Sequence, residues 1–182
     1  MKMNREGNTV KNITVMGLLL AFTCILSAIP LGINILGVAA TLQTFAIAFV
    51  GFVLGAKRGA AVAALYVVMG LIIPVYSNMT SGPGILFGPT GGFLFGFIIM
   101  AGLCGATWRF NNFLARTGLA ILGLIACHGL GLLQFVLVTD MDFVGAMLAV
   151  TLPYLPKDIL MIGLAWIVAQ PVRRSLKQLM KN

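Results

Sequence analysis

The sequence predicts an all-α integral membrane protein, a six-helix transmembrane bundle with both termini in the cytoplasm. Composition is the first reason: 60% of the 182 residues are apolar, 9% are charged and mean hydropathy is +1.05. A soluble domain carries roughly 25% charged residues. The second reason is where the twelve Lys and Arg residues fall. Lys2, Arg5 and Lys11 precede the first apolar stretch, and Lys57 and Arg58 follow the second. Arg109 and Arg116 follow the fourth, and Arg173, Arg174, Lys177 and Lys181 follow the last. The other connections hold only Lys157. Cytoplasmic loops retain Lys and Arg, so the alternation sets topology and orientation in a multi-pass protein of the plasma membrane.

In chain order, the spans are expected over about 13–29, 35–54, 59–75, 91–108, 117–138 and 156–170. The third and sixth are at or below the roughly 17–25 residues a spanning helix uses. Short spans suit a deep outer cavity, where protein shields the backbone. The first stretch follows a basic arm but shows no convincing small-x-small cleavage site, so it is read as helix 1. Residues 1–182 form a single transmembrane domain, with no internal repeat.

Two outer connections carry more than link length. Residues 76–92 gather Gly82, Pro83, Gly84, Gly88, Pro89, Gly91 and Gly92 around Ile85, Leu86 and Phe87. A linker would be polar, so this is either a tight cap on helix ends or a lid over a ligand. Residues 139–155 contain the short apolar run 143–152, read as an interfacial or re-entrant piece.

Several chemistries are excluded or disfavoured. The net charge of +8 is spread over four connections, so no nucleic-acid face is built. No G-x-x-x-x-G-K-[ST] or H-E-x-x-H occurs. Cys24, Cys104 and Cys127 match no metal spacing, and His128, the one histidine, has no partner at a convincing spacing. The chain is therefore expected to be no enzyme and to hold no metal or cofactor. Its carboxylates are Glu6, Asp140, Asp142 and Asp158, none at mid-span, which leaves ion coupling little to work with.

Asp158 is the strongest candidate. With Pro156 in the first helical turn, it falls near the positive end of the helix dipole. That placement suits a helix-start acid, and equally an acceptor for ligand N–H groups. Lys157 can pair with it or snorkel, although a helix turns it about 100° from Asp158. His128 and Gln134 in the fifth span, and Gln43 and Thr44 in the second, are polar groups that serve either packing or ligand. Gly17 and Ala21 form a small-xxx-small pair that permits close helix approach, within this bundle or against a separate subunit.

At Thr41-Leu-Gln-Thr44, Gly55-Ala-Lys-Arg-Gly59, Gly88-Pro-Thr-Gly-Gly-Phe93 and Pro153-Tyr-Leu-Pro-Lys-Asp158 the chain resembles a known family. It is similar to the biotin-specific substrate-binding (S) components, BioY type, of energy-coupling-factor vitamin transporters. The resemblance implies capture of biotin from outside, as transported ligand and not as cofactor. Uptake would be driven by a transmembrane T component and two cytoplasmic ATPases. It further implies that Asp158 accepts from the ureido N–H groups of biotin and that the glycine-rich loop closes over the ligand. Around that ligand it groups Gln43, Thr44, Asn78, Thr80, Gly82, Gly84, Phe87, Gly91, Gly92, His128, Tyr154 and Lys157. Gly17 and Ala21 then belong to the partner-docking face. Two positions depart from the family: Thr80 and Met161 stand where the family often has Arg and Lys. Another cofactor precursor such as lipoate, or a stand-alone carrier, are the alternatives.

Overall fold

The computed structural model describes residues 2–36 and 38–179. Its elements are α1 (Lys2–Ala28), β1 (Pro30–Ile35), β2 (Val38–Thr41), α2 (Gln43–Leu54), α3 (Ala56–Met69) and α4 (Pro83–Leu86). They continue with α5 (Gly91–Ala106), α6 (Phe113–Thr139), α7 (Phe143–Ala146) and α8 (Leu155–Leu179). The protein is all-helical apart from one small hairpin. Two of these eight helices, α4 and α7, are four residues long. Four segments are long and apolar enough to cross a membrane: Val10–Ala28, Gly91–Arg109, Phe113–Thr139 and Leu155–Leu179.

Element boundaries depart from the sequence expectation at the second, third and sixth spans, and α1 begins earlier, at Lys2. The second span begins at Gln43, because residues 30–41 fold as an antiparallel hairpin of β1 and β2. Pro30, the left-handed Gly32 (φ 79°) and Leu36 (φ 49°) are incompatible with continuous helix there. The third span stops at Met69, where Gly70 lies directly under the ring of Tyr76. The sixth is longer than expected, running through Pro171 to Leu179.

With only 12 residues, α2 rises about 18 Å. It is apolar on all sides and buried throughout Ala46–Val53, so it forms the axis of the bundle. Tyr66 from α3, Phe97 and Met100 from α5, and Ala165 and Ala169 from α8 complete the core around it. One end of the molecule collects the basic connections. Arg173 donates from Nη1 to the carbonyls of Phe52 (2.9 Å) and Val53 (2.7 Å), which satisfies the C-terminal end of α2. Trp108 donates to the same Phe52 carbonyl (2.7 Å), and Lys11 reaches the carbonyl of Leu179 (3.3 Å). The hairpin, residues 76–90 and residues 140–154 occupy the other end. There the apolar run forms α7 and one π-helical turn, Met147–Thr151, with Ala146 and Val150 packed on Leu132 and Phe135 of α6.

Helices α5 and α6 pack closely through glycine. A Cβ at Gly96 would lie 2.5 Å from the Cα of Cys127, and one at Gly92 would run into the carbonyl of Leu130. Gly96→Val is therefore expected to force the helices apart and to cost about 1–3 kcal/mol or more. Gly129→Ala, where a Cβ meets nothing within 4 Å, is expected to hold or gain stability. Thermal unfolding in detergent checks this: equal midpoints for the two variants would contradict the packing.

Candidate functional site

Asp158 lies in the first turn of α8 and is 5% exposed. Its backbone N–H donates to the carbonyl of Tyr154 (2.9 Å), which sets the turn that aims the carboxylate inward. Oδ1 accepts from Thr44 Oγ1 (2.6 Å), in the first turn of α2, and from Lys157 Nζ. Oδ2 meets His128 Nε2 at 3.1 Å. Three helices thus converge on one carboxylate. His128, without a partner by sequence spacing, finds one thirty residues away. Nε2 facing a carboxylate favours its protonated form, which leaves Nδ1 as the acceptor in a neutral ring. Among the described residues, that buried Nδ1 has no partner. The 100° turn between Lys157 and Asp158 does not separate them, because the lysine stem is long enough to bend back. Lys157 Nζ also donates to the Thr41 carbonyl (3.2 Å).

The hairpin is tied to this centre. Tyr154 Oη accepts from the Ile35 N–H (3.1 Å) and donates to the Val38 carbonyl (2.5 Å), so one phenol bridges both strands. Gln43 donates from Nε2 to Tyr66 Oη (2.6 Å), and Tyr66 donates to the Val75 carbonyl (3.1 Å). Tyr76 donates to the Val67 carbonyl (2.6 Å), and burial raises its phenol above the usual range, so it is a neutral donor. These bonds fix the start of α2 and the end of α3 around the carboxylate.

A cavity of about 60 Å³ opens beside Asp158. Of the residues expected around a ligand, Gln43, Thr44, His128, Tyr154, Lys157 and Asp158 line it. Asn78, Thr80, Gly82, Gly84, Phe87, Gly91 and Gly92 do not. Asn78 sits exposed in a left-handed turn (φ 58°), and Thr80 spends its hydroxyl on the Ser77 carbonyl (2.8 Å). Phe87 is 71% exposed and points away. Gly91 and Gly92 serve packing: a Cβ at either would strike the backbone of Leu86 or Leu130. The wall contains Tyr76, Ser77, Thr90 and Phe93, which the sequence reading did not single out. Phe93 stands edge-on to His128, centroids 5.7 Å apart. Its position at the end of the Gly-Pro-Thr-Gly-Gly run was the available signal.

The glycine-rich connection is folded, not open. Tyr76 bridges to Thr80, α4 follows, and Leu86 is buried. Gln134 Nε2 of α6 donates to the carbonyls of Leu86 (3.0 Å) and Gly88 (2.7 Å). Gly17 and Ala21 lie exposed on α1, and a Cβ at Gly17 would meet nothing within 4 Å.

Comparison with known proteins gives a consistent family. The profile of the BioY family matches residues 1–178. A biotin transporter BioY of Rhodobacter capsulatus is 32% identical over 179 residues, covering 89% of this chain and 93% of that protein. The biotin transporter BioY of Thermotoga maritima is 39% identical over 112 residues, 59% of this chain and 64% of that protein. The biotin transporter BioY2 of Lactococcus lactis is 38% identical over 115 residues, 62% of this chain and 60% of that protein. For these last two the chain therefore spans less than two thirds of the relative's length. In fold, the chain is similar to the crystal structure of an S-component for biotin from an ECF-type ABC transporter. That match has TM-score 0.83 and 22% identity, and it covers 92% of this chain and 93% of that one.

Gln134→Ala is expected to release the glycine-rich connection. Two carbonyl bonds worth about 0.5–1.5 kcal/mol each would be lost. Hydrogen exchange of residues 83–90 should accelerate roughly tenfold or more, with α2 unaffected. Unchanged exchange would mean that other contacts hold the segment.

Proposed function

Since the chain belongs to the BioY family, we propose that it is the substrate-binding S component of an energy-coupling-factor transporter and captures biotin from outside the cell. The observation that carries this reading is the buried Asp158, held by Thr44, Lys157 and His128 and open to the outer cavity. An ionised carboxylate offers about four lone-pair positions. Three are taken, and Oδ2 keeps one for a ureido N–H. The ammonium of Lys157 has three N–H bonds; two go to Thr41 and Asp158, so one is left for a ligand carbonyl. His128 Nδ1 has no partner among the described residues and can accept from a ligand when the ring is neutral. The site binds and orients and has no bond to break.

Ligand pockets usually run to roughly 300–1,000 Å³, whereas this cavity has about 60 Å³. Binding therefore displaces a wall. The movable candidates are Val38 on the hairpin and the Tyr76–Thr90 connection, and this is the sense in which the glycine-rich segment acts as a lid. Lys157 and Met161 are one helical turn apart on the same face. In this reading Lys157 supplies the cation that related sequences carry at the position of Met161.

The chain works as one domain with six crossings, α1, α2, α3, α5, α6 and α8, and with both termini in the cytoplasm. α2 and α3 cross as short helices buried among the longer ones. The exposed Gly17 and Ala21 face of α1 docks the T component, and two cytoplasmic ATPases supply the energy.

Two outcomes test this. Asp158→Asn turns one acceptor into a donor and is expected to weaken biotin binding by about 2–4 kcal/mol, roughly 30- to 1000-fold. Loss of the helix-dipole contact alone would cost only about 0.3–1 kcal/mol of stability. Lys157→Met is expected to weaken binding about tenfold, and adding Met161→Lys to recover part of it. Calorimetry with purified protein measures both, and near-wild-type affinity in Asp158→Asn would reduce Asp158 to a helix-start residue.

Orientation is tested by cysteine labelling. Cys24, Cys104 and Cys127 are buried, so their background is low. Lys57→Cys should label only from the cytoplasm and Ser81→Cys only from outside. Labelling from the opposite faces would reverse the topology.

A further inference from the structure

A second cavity lies between α6 and α8, on the side of the bundle facing the membrane and toward the basic end. It measures about 270 Å³, and its walls are Phe113, Ala120, Ile121, Leu124, Ile159, Ile162, Gly163 and Trp166, with Arg116 and Thr117 at one end. The two helices meet at the outer end through His128 and Asp158 and diverge below it. Leu124 and the start of α8 separate this cleft from the biotin cavity.

Arg116 decides what the cleft takes. Its Nε donates to the Phe110 carbonyl (2.7 Å), and its guanidinium stands 5.7 Å from the Trp108 ring centre and 5.8 Å from that of Trp166. Among the described residues it forms no ion pair, and its terminal nitrogens have no hydrogen-bond partner. Of the carboxylates whose side chains are described, Asp140 and Asp142 lie at the other end of α6 and Asp158 is already bonded. Arg116 also lies in the first turn of α6, where the helix dipole favours an anion. A cation and two stacked indoles at the mouth of an apolar slot form an amphipathic receptor. The charge asks for an anion, and the slot asks for hydrocarbon.

We propose that this cleft is a binding site for one anionic phospholipid, its phosphate on Arg116 and an acyl chain along α6 and α8. A methylene occupies about 27 Å³ in liquid hydrocarbon, close to the ~30 Å³ share of a water, so the slot takes on the order of ten chain carbons. Basic sites between spanning helices on the cytoplasmic side are suited to anionic headgroups. A helix of a partner protein would fill the apolar slot but leave the guanidinium unmatched. The inference stands on the membrane-spanning reading and is independent of the ligand in the outer cavity.

The chain's two tryptophans, Trp108 and Trp166, are stacked together at this site (4.8 Å), so indole fluorescence reports on it alone. The full-length protein in neutral detergent is titrated with dibrominated phosphatidylglycerol, and in parallel with dibrominated phosphatidylcholine. Saturable quenching by the anionic lipid is expected at a concentration at least fivefold lower than by the zwitterionic one. Arg116→Gln is expected to abolish that preference. Gly163→Leu, placed where a Cβ meets nothing within 4 Å, is expected to weaken quenching by both lipids while Arg116 is intact. Equal quenching by the two lipids, or quenching that neither variant alters, overturns the site in favour of bulk lipid or a companion helix.

Discussion

The carboxylate of Asp158 is the constraint on which the half of the molecule opposite the basic end depends. Burying an unpaired charge costs several kcal/mol, so its donors must be in place whenever the chain is folded. They come from α2 through Thr44, from α6 through His128 and from α8 itself through Lys157. The start of α2 is in turn tied to the hairpin, since Lys157 holds the Thr41 carbonyl and Tyr154 clasps Ile35 and Val38. Hydrophobic side chains of similar volume usually stabilise as much as a buried ion pair or more. An acid, a base and a histidine in this position are therefore poorly explained by stability. Recognition of a polar ligand, as proposed above, accounts for them.

Two packing features make room for such a centre inside a thin bundle. The first is the shortness of α2, whose buried N-terminus leaves depth above it for a hairpin and a cavity. Non-helical backbone at that depth is tolerable because protein groups satisfy it, and here one phenol satisfies two strands. The second is the glycine seam between α5 and α6. With Gly92 and Gly96 against the backbone of Leu130 and Cys127, the helices approach closely enough to bring Phe93 edge-on to His128. Larger residues on the seam would move His128 away from Asp158.

The parts of this arrangement legible in the sequence are those governed by local or one-dimensional rules. Hydropathy marked the long helices, and charge alternation marked which connections share an end; Arg173 on Phe52 and Lys11 on Leu179 are contacts of that kind. Asp158 stood out because an acid after Pro156 has a definite place in a helix. What was not legible depends on distant pairing or on side-chain reach. The hairpin sits inside an apolar run that reads equally well as helix, and only Pro30, Gly32 and Asn34 argued otherwise. Lys157 belongs to the expected ligand group, but the backbone angle of about 100° turns it from Asp158, a criterion that fails for a side chain with four methylenes. Gln134 was weighed as one ambiguous polar group, yet it holds two carbonyls from a connection 46 and 48 residues away. The glycines of that connection were assigned to a ligand, whereas Gly91 and Gly92 answer to helix packing.

The relation between α6 and α8 follows from the same centre. Their closest polar link is His128 to Asp158, and below it the helices part to form the apolar cleft. Leu124 lines both cavities, so a single side-chain layer divides the cavity beside Asp158 from the apolar cleft. The carboxylate that ties α8 to α6 through His128 also ties it to α2 through Thr44, so all three helices meet at the wall of the first cavity.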